Sequence, residues 1–152
     1  MRFIALSLLL LSACSFHPIY VNQNRKHVCV TSIPNEAGYQ IKKHLQQYFP
    51  NNEECLYTLI IDVPSYSYSD QSISDKDFIT MQQIGASTSY KLLDKDKKVV
   101  LKNKVFATGS SAITANPYAS VVASEKTTSN LNILLAEQIE LHVSAFLDEE
   151  QK

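Results

Sequence analysis

The sequence predicts a two-layer α+β fold in which two helices pack on one face of a four-stranded mixed sheet. Two segments of helical periodicity, at residues 36–49 and 117–146, flank a region in which apolar and polar residues alternate. A further short alternating segment precedes the first helix, so the element order is β-α-β-β-β-α. A helix between the first two strands favours a parallel pair, and the later short connections favour an antiparallel meander. We expect the second sheet face to be polar.

The first strand and the first helix open the domain. Val28 and Val30 occupy alternate positions, which is typical of a strand over residues 27–33. Asn35 follows as a favourable N-cap, and apolar residues then recur at helical spacing. This pattern predicts a helix over residues 36–49.

Two alternating runs, residues 56–63 and 65–69, flank Pro64 and predict the second strand. Tyr57, Leu59, Ile61 and Val63 share the apolar face of the first run. Their apolar residues are out of phase by one position. A β-bulge at Pro64 would absorb the extra residue and join both runs into one apolar face. The polar residues 70–77 that follow predict a loop.

The third and fourth strands, around residues 84–92 and 99–108, are predicted to form a hairpin. Their apolar faces coincide in only every second register, because a one-residue slip turns every side chain to the other face. One such register leaves a short loop but places Lys91 opposite Lys102, which is unfavourable. A register shifted by two residues avoids that contact and lengthens the loop, so both stay open.

The last helix begins at Asn116 and Pro117, an N-cap followed by proline at the first helical position. It is predicted to run to about residue 146, before an acidic tail at residues 148–152. Its buried stripe is predicted to contain Val121, Thr128, Leu131, Leu135, Ile139, His142 and Phe146.

The N-terminus has the pattern of an export signal. Arg2 precedes an apolar run at residues 3–11, far shorter than the ~20 residues of a membrane-spanning helix. The string Leu-Ser-Ala-Cys that ends at Cys14 resembles the lipobox of bacterial lipoproteins. This resemblance implies that residues 1–13 are removed as a signal peptide and that Cys14 carries fatty acyl chains such as palmitate.

On this interpretation residues 14–26 are a lipidated tether and residues 27–147 form a single domain. Ser15 follows the acylated cysteine, which favours the outer membrane of a Gram-negative cell. An ordinary cleaved signal with an incidental cysteine is the alternative. Several acyl chains would anchor the protein stably, whereas one gives marginal binding.

Basic residues concentrate in the predicted hairpin. The chain has a net charge of −1, yet residues 91–104 hold six lysines and only two aspartates. A solvated turn explains part of this cluster, but a compact cationic surface also attracts multivalent anions, which in an envelope are lipid phosphates. Nucleic acid is not expected, since interleaved aromatic residues are missing. The candidate residues for binding such phosphates are Lys91, Lys95, Lys97, Lys98, Lys102 and Lys104.

Cys29 and Cys55 are the remaining cysteines if Cys14 carries lipid. An oxidising compartment permits a disulfide between them, and two buried thiols are an equal alternative. The sequence has no metal-ligand spacing, nucleophile motif or phosphate-binding loop. We therefore expect a protein that is not an enzyme and that uses no metal and no cofactor.

Residues 14–20, Cys-Ser-Phe-His-Pro-Ile-Tyr, resemble the C-G-F-x-P-[LI]-Y opening of the LptE family of lipopolysaccharide-assembly lipoproteins, with Ser15 in place of the usual glycine. Further matches are the Thr-Ser-Tyr-Lys-Leu strand at residues 88–92, the Tyr-Ala helix start at residues 118–119, and Leu-Ala-Glu-Gln-Ile at residues 135–139. Their order and combination carry the resemblance.

The resemblance implies a lipid-anchored protein on the periplasmic side of the outer membrane. Such a protein would form a heterodimer with an LptD-like β-barrel, plug the barrel, support its assembly and bind lipopolysaccharide during delivery to the outer leaflet. Two alternatives are an accessory lipoprotein of another envelope transporter and a lipid-anchored surface or adhesin-like domain.

Overall fold

The computed structural model describes residues 27–50, 54–73 and 79–150. The predicted signal peptide, Cys14 and the tether lie outside these ranges. The α+β class and the order of the elements are as predicted, with one additional strand. The elements are β1 (Val28–Val30), α1 (Glu36–Leu45), β2 (Tyr57–Ile61), β3 (Ser65–Ile73), β4 (Ile79–Leu93), β5 (Val99–Ala112) and α2 (Pro117–Glu149).

The long strand β4 organises the sheet. β2 and β3 pair antiparallel with successive parts of one of its edges, and β5 pairs antiparallel with the other edge. β1 lies outside β2 and runs parallel to it. The parallel first pair and the antiparallel meander are therefore confirmed.

The extra strand arises at the predicted bulge. Thr58 is opposite Leu93 in the β2–β4 ladder, whereas Ser65 is opposite Ser87 in the β3–β4 ladder, so the register advances by one residue between them. The backbone of Asp62 bridges the break, donating to the carbonyl of Ser89 at 2.9 Å. The predicted change in the phase of alternation at Pro64 is confirmed. It separates two strands, β2 and β3, instead of forming a bulge within one.

Val63 was expected on the apolar face of this strand, and that expectation is wrong. The register change turns its side chain to solvent, and the neighbouring Pro64 is buried instead. The predicted loop at residues 70–77 is also wrong in part, because β3 continues to Ile73. Backbone hydrogen bonds form a ladder whatever the polarity of the side chains, so a polar strand gives no alternating signal. Residues 74–78 lie outside the described ranges.

Both helices begin at the predicted asparagine caps. The side-chain oxygen of Asn35 accepts a hydrogen bond from the Gly38 amide at 2.8 Å, and that of Asn116 accepts one from the Tyr118 amide at 3.1 Å. Gly38 allows α1 to approach the preceding chain, because a Cβ there would lie 2.5 Å from Ile33 Cγ2. α1 ends at residue 45, four residues before its predicted end, and a turn then places Phe49 in the core.

The core lies between the helices and one face of the sheet. α2 contributes Leu131, Leu135 and Ile139 as predicted, and β4 contributes alternate residues from Ile84 to Leu92. Val121 was expected in this stripe but is more than half exposed. It belongs to the first turns of α2, before the helix reaches the Ser110 region of β5. The opposite sheet face carries serine, threonine and lysine, as predicted.

Candidate functional site

The hairpin of β4 and β5 brings three lysines together on the open sheet face. Lys91 is directly opposite Lys102, so the structure has the first of the two registers that the sequence left open. Lys104 lies one step further along the same face, opposite Ser89. All three lysines are exposed.

Asp94 builds the turn that presents the other three lysines. Its backbone N–H donates to the carbonyl of Lys98 at 3.0 Å, and its carbonyl accepts from the amide of Lys97 at 3.0 Å. Its side-chain Oδ1 accepts from the amides of Asp96 and Lys98, both at 2.9 Å. Lys97 has φ of 62°, as a type I turn followed by a left-handed residue requires. Lys95, Lys97 and Lys98 are therefore held out into solvent by an ordered backbone.

These six residues form one cationic surface, which we call the lysine cluster: Lys91, Lys95, Lys97, Lys98, Lys102 and Lys104. Within the described part of the chain, no carboxylate forms an ion pair with any of their ammonium groups at 4.0 Å or less. Asp94 and Asp96 lie in the same hairpin and offset two of the six positive charges, which leaves residues 91–104 with a net charge of +4. Exposed lysines act as point charges, so the arrangement suits phosphate groups at several positions.

The described chain begins at the same end of the molecule as the lysine cluster. The carbonyl of His27 accepts from the amide of Leu56 at 2.9 Å, and β2 starts one residue later, beside the end of β4. The first described residue, His27, therefore lies at the end of the domain that carries the turn.

The C-terminus of α2 reaches this end on the helix side of the sheet. The hydroxyl of Tyr57 donates to Glu150 Oε2 at 2.6 Å. This hydrogen bond, with smaller contributions from burial and nearby carboxylates, raises the pKa of Tyr57 to about 12. The helix continues to Glu149, so the first residues of the predicted acidic tail belong to its last turn.

Phe106 is an exposed aromatic residue on the lysine-bearing face, and the sequence analysis did not single it out. Its side chain is 71% exposed, whereas its neighbours Val105 and Ala107 are buried. It is opposite Ser87, next to a shallow depression of about 260 Å³ whose floor includes Gly85. A large aromatic residue in the polar phase of a strand was the signal that could have found it.

A small polar cluster lies on the helix side of the sheet, where Asn103 interrupts the apolar face of β5. Asn103 is opposite Tyr90, whose hydroxyl lies 2.9 Å from His142 Nδ1 on α2. Burial raises the pKa of Tyr90 to about 12, and the hydrogen bond with Asn103 opposes part of that rise. His142 thus has a structural partner that joins α2 to the sheet.

Cys29 and Cys55 form a disulfide with a Cα–Cα distance of 5.6 Å. It links β1 to the segment that leads into β2. Of the two arrangements that the sequence left open, the structure has the paired one.

Two apolar side chains lie on the outward side of α2. Leu134 and Leu141 are seven residues apart, which places them on the same side of the helix, and both are exposed, Leu141 by 64%. An apolar residue exposed alone is ordinary, but a helix that is apolar on several sides is usually covered by a partner. We call Leu134 and Leu141 the outer stripe of α2.

Two other kinds of site are missing from the described residues. No group of three histidine, cysteine, aspartate or glutamate side chains there is arranged to hold a metal ion. Neither helix combines the length and the apolar character needed to cross a bilayer.

Comparison with solved structures identifies the fold. No family model matches the chain, and no curated protein matches its sequence. Rare lipoprotein B from Shewanella oneidensis superimposes with a TM-score of 0.68 at 11% identity, over 82% of this chain and 98% of that one. Lipoprotein B from Nitrosomonas europaea gives 0.62 at 16% identity, over 80% and 83% of the two chains.

A minor lipoprotein from Acinetobacter baumannii gives a TM-score of 0.57 at 16% identity, over 79% of this chain and 92% of that one. In each case the match covers most of both chains. The chain therefore has the fold of these bacterial lipoproteins.

Proposed function

We propose that this protein is an outer-membrane lipoprotein, anchored through Cys14, that binds lipopolysaccharide phosphates through the lysine cluster. It plugs an LptD-like barrel, supports the assembly of that barrel and catalyses no reaction. The observation that carries the proposal is the gathering of six exposed lysines at the end where the predicted tether would enter the domain.

The position of the lysine cluster supports contact with lipid headgroups. A tether that enters the domain at this end would allow the lysine cluster to approach the membrane surface. Each lysine near an anionic lipid surface contributes about 1 kcal/mol, and that attraction decays within a Debye length. Single substitutions should therefore weaken binding mildly, whereas several charge reversals together should weaken it strongly.

The outer stripe of α2 supports a protein partner on the helix layer, which lies on the other side of the sheet from the lysine cluster. Leu134 and Leu141 expose apolar surface on a helix whose inward side is already covered by the sheet. The wall of a barrel would remove this surface from water, at about 25 cal/mol for each Å² covered. The fold shared with lipoprotein B and the LptE-like sequence motifs favour the same partner.

A triple variant tests the lysine assignment through its affinity for lipopolysaccharide. It combines the charge reversals Lys97→Glu, Lys98→Glu and Lys102→Glu. We expect the affinity of the full-length protein in detergent to fall at least tenfold at low salt. The matched control reverses Lys42, Lys43 and Lys126, which lie on the helices, and should change it less than twofold. Equal affinity of the triple variant and the wild type at low salt would refute the lysine assignment.

Affinity purification from detergent-extracted envelopes tests the barrel partner. Recovery of a large outer-membrane barrel in near-equal amounts would support the plug. Recovery of inner-membrane transporter subunits would favour the accessory-lipoprotein alternative. Cleavage of the protein by protease on intact cells would favour a surface domain.

A further inference from the structure

Phe106 continues the row of lysines on β5. Lys102, Lys104 and Phe106 occupy successive outward positions of this strand, since Val105 and Ala107 point into the core. Outward positions on one strand are two residues apart, so Lys104 and Phe106 are separated by ~7 Å at Cα. A cationic group and an exposed aromatic ring therefore lie side by side on the open face.

The depression beside Phe106 is lined by hydroxyl groups. Ser65 and Ser87 lie in the same row of the sheet as Phe106, and their hydroxyl oxygens are 3.0 Å apart. Ser67 and Thr108 flank Gly85 in the next row. These hydroxyls can both donate and accept hydrogen bonds.

Gly85 leaves the depression open because it has no side chain. A Cβ at this position would lie 2.7 Å from the hydroxyl oxygen of Ser67, so a side chain here would displace Ser67 and occupy the space. The result is a shallow surface with one aromatic wall, a hydroxyl rim and lysines at one end.

We propose that Phe106 and this depression form a saccharide subsite, which binds the sugar of a phosphorylated glycolipid while the lysine cluster binds its phosphates. A pyranose ring has a C–H face that an aromatic ring can cover and hydroxyl groups at its edge that match serine and threonine. The inference rests on the proposed function, and it adds the chemical class of the group next to the phosphate.

The lining argues against an acyl chain in the same place. An acyl chain would cover the hydroxyls of Ser65, Ser67, Ser87 and Thr108 without offering them a hydrogen bond. Covering a hydroxyl that has no hydrogen-bond partner is unfavourable, because it loses its hydrogen bonds to water. The polar rim therefore selects a hydroxylated ligand over an aliphatic one.

Competition binding separates these ligands. The full-length protein in detergent is loaded with fluorescent lipid A and titrated with bisphosphorylated glucosamine disaccharide that lacks acyl chains. We expect the disaccharide to displace lipid A from the wild type. We expect Phe106→Ala to lower the affinity for the disaccharide by about fivefold, which corresponds to loss of one aromatic contact.

Four further variants sharpen the test. Phe106→Tyr keeps the ring and should stay within twofold of the wild type, whereas Phe106→Leu should bind as weakly as Phe106→Ala. Gly85→Val fills the depression and should also lower the affinity for the disaccharide. Tyr118→Ala removes an aromatic side chain that is 76% exposed on α2, and should have no effect.

Failure of the disaccharide to compete, or wild-type affinity in Phe106→Leu, would overturn the saccharide subsite. If charge reversal of the lysines abolishes lipid A binding while Phe106→Ala changes neither ligand, the subsite is wrong and the proposed function stands. If neither set of variants changes lipid A binding, both are wrong.

Discussion

Lys91 and Lys102 lie directly opposite each other on the exposed face of the β4–β5 hairpin. Two like charges in this position destabilise a sheet by roughly 0.2–1 kcal/mol. A shift of the hairpin by two residues would keep the apolar faces together and separate the charges. The turn that Asp94 builds fixes the observed register, so the fold keeps a local repulsion that concentrates positive charge.

Lys91→Glu should therefore make the protein more stable and less able to bind lipopolysaccharide. The new carboxylate would face Lys102 and replace a repulsive pair with an attractive one, raising the free energy of unfolding by about 0.5–1 kcal/mol. Urea unfolding measures this change. Lys91→Gln removes only the repulsion and should give a smaller gain. A lower urea midpoint for Lys91→Glu would contradict this account of the pair.

Lys97→Gly should also stabilise the fold. Lys97 has φ of 62°, a left-handed conformation that costs a residue with a Cβ roughly 1–2 kcal/mol. Glycine avoids that cost but gains flexibility in the unfolded chain, which offsets about 0.4–1 kcal/mol. We expect a net gain of about 0.5 kcal/mol in thermal or urea unfolding.

Lys95→Gly is the matched control for this substitution. Lys95 has no positive φ, so glycine there brings only the added flexibility of the unfolded chain and should lower stability. Similar losses in both variants would show that the backbone at Lys97 is not strained.

Local chemistry made the caps and the bulge predictable. Asn35 and Asn116 satisfy the first free amides of their helices through their own side chains, so the sequence near each cap is sufficient to place it. The phase change at Pro64 is equally local, because side chains alternate along a strand. The grouping of the six lysines was also predictable, since all of them lie within one hairpin of the sequence.

Long-range pairing was harder to predict. The strand continues through Asp70 to Ile73 because its backbone finds partners on β4, and no side-chain pattern records that pairing. The choice between the two hairpin registers depended on the turn geometry of Lys97. The exposure of Phe106 followed from the strand phase, but the hydroxyl groups around it come from three different strands and meet only when those strands are paired.

The disulfide is expected to stabilise the edge of the sheet. Cys29 lies in a three-residue edge strand, and the bridge spans a sequence separation of 26 residues. In the chain-entropy model, closing a loop of this length contributes about 3.5 kcal/mol. Replacing both cysteines with serine should lower the free energy of unfolding by about 2–4 kcal/mol, measured by guanidinium titration.

Reduced wild-type protein is the control for the double serine variant. It lacks the same cross-link without the added hydroxyl groups, so it should unfold at nearly the same denaturant concentration as the variant. Equal stability of the oxidised and reduced wild type would contradict a structural role for the Cys29–Cys55 bridge.

Stability should fall at alkaline pH because folding keeps Tyr90 protonated. Burial raises the pKa of Tyr90 from 10.0 to about 12, so the unfolded chain releases this proton at a lower pH than the folded protein does. The contribution is fully present below pH 10 and is lost as the pH rises from about 10 to about 12. Tyr57, whose pKa is also raised to about 12, adds to the same loss.

Tyr90→Phe should flatten this part of the stability curve. Near neutral pH the variant loses the 2.9 Å hydrogen bond to His142, which costs about 1 kcal/mol. Between about pH 10 and pH 12 the wild type loses the Tyr90 contribution and the variant does not, so the difference between them should shrink. Urea midpoints measured at steps across this range test the expectation. Parallel curves for the two proteins would mean that Tyr90 titrates in the folded state as it does in the unfolded chain.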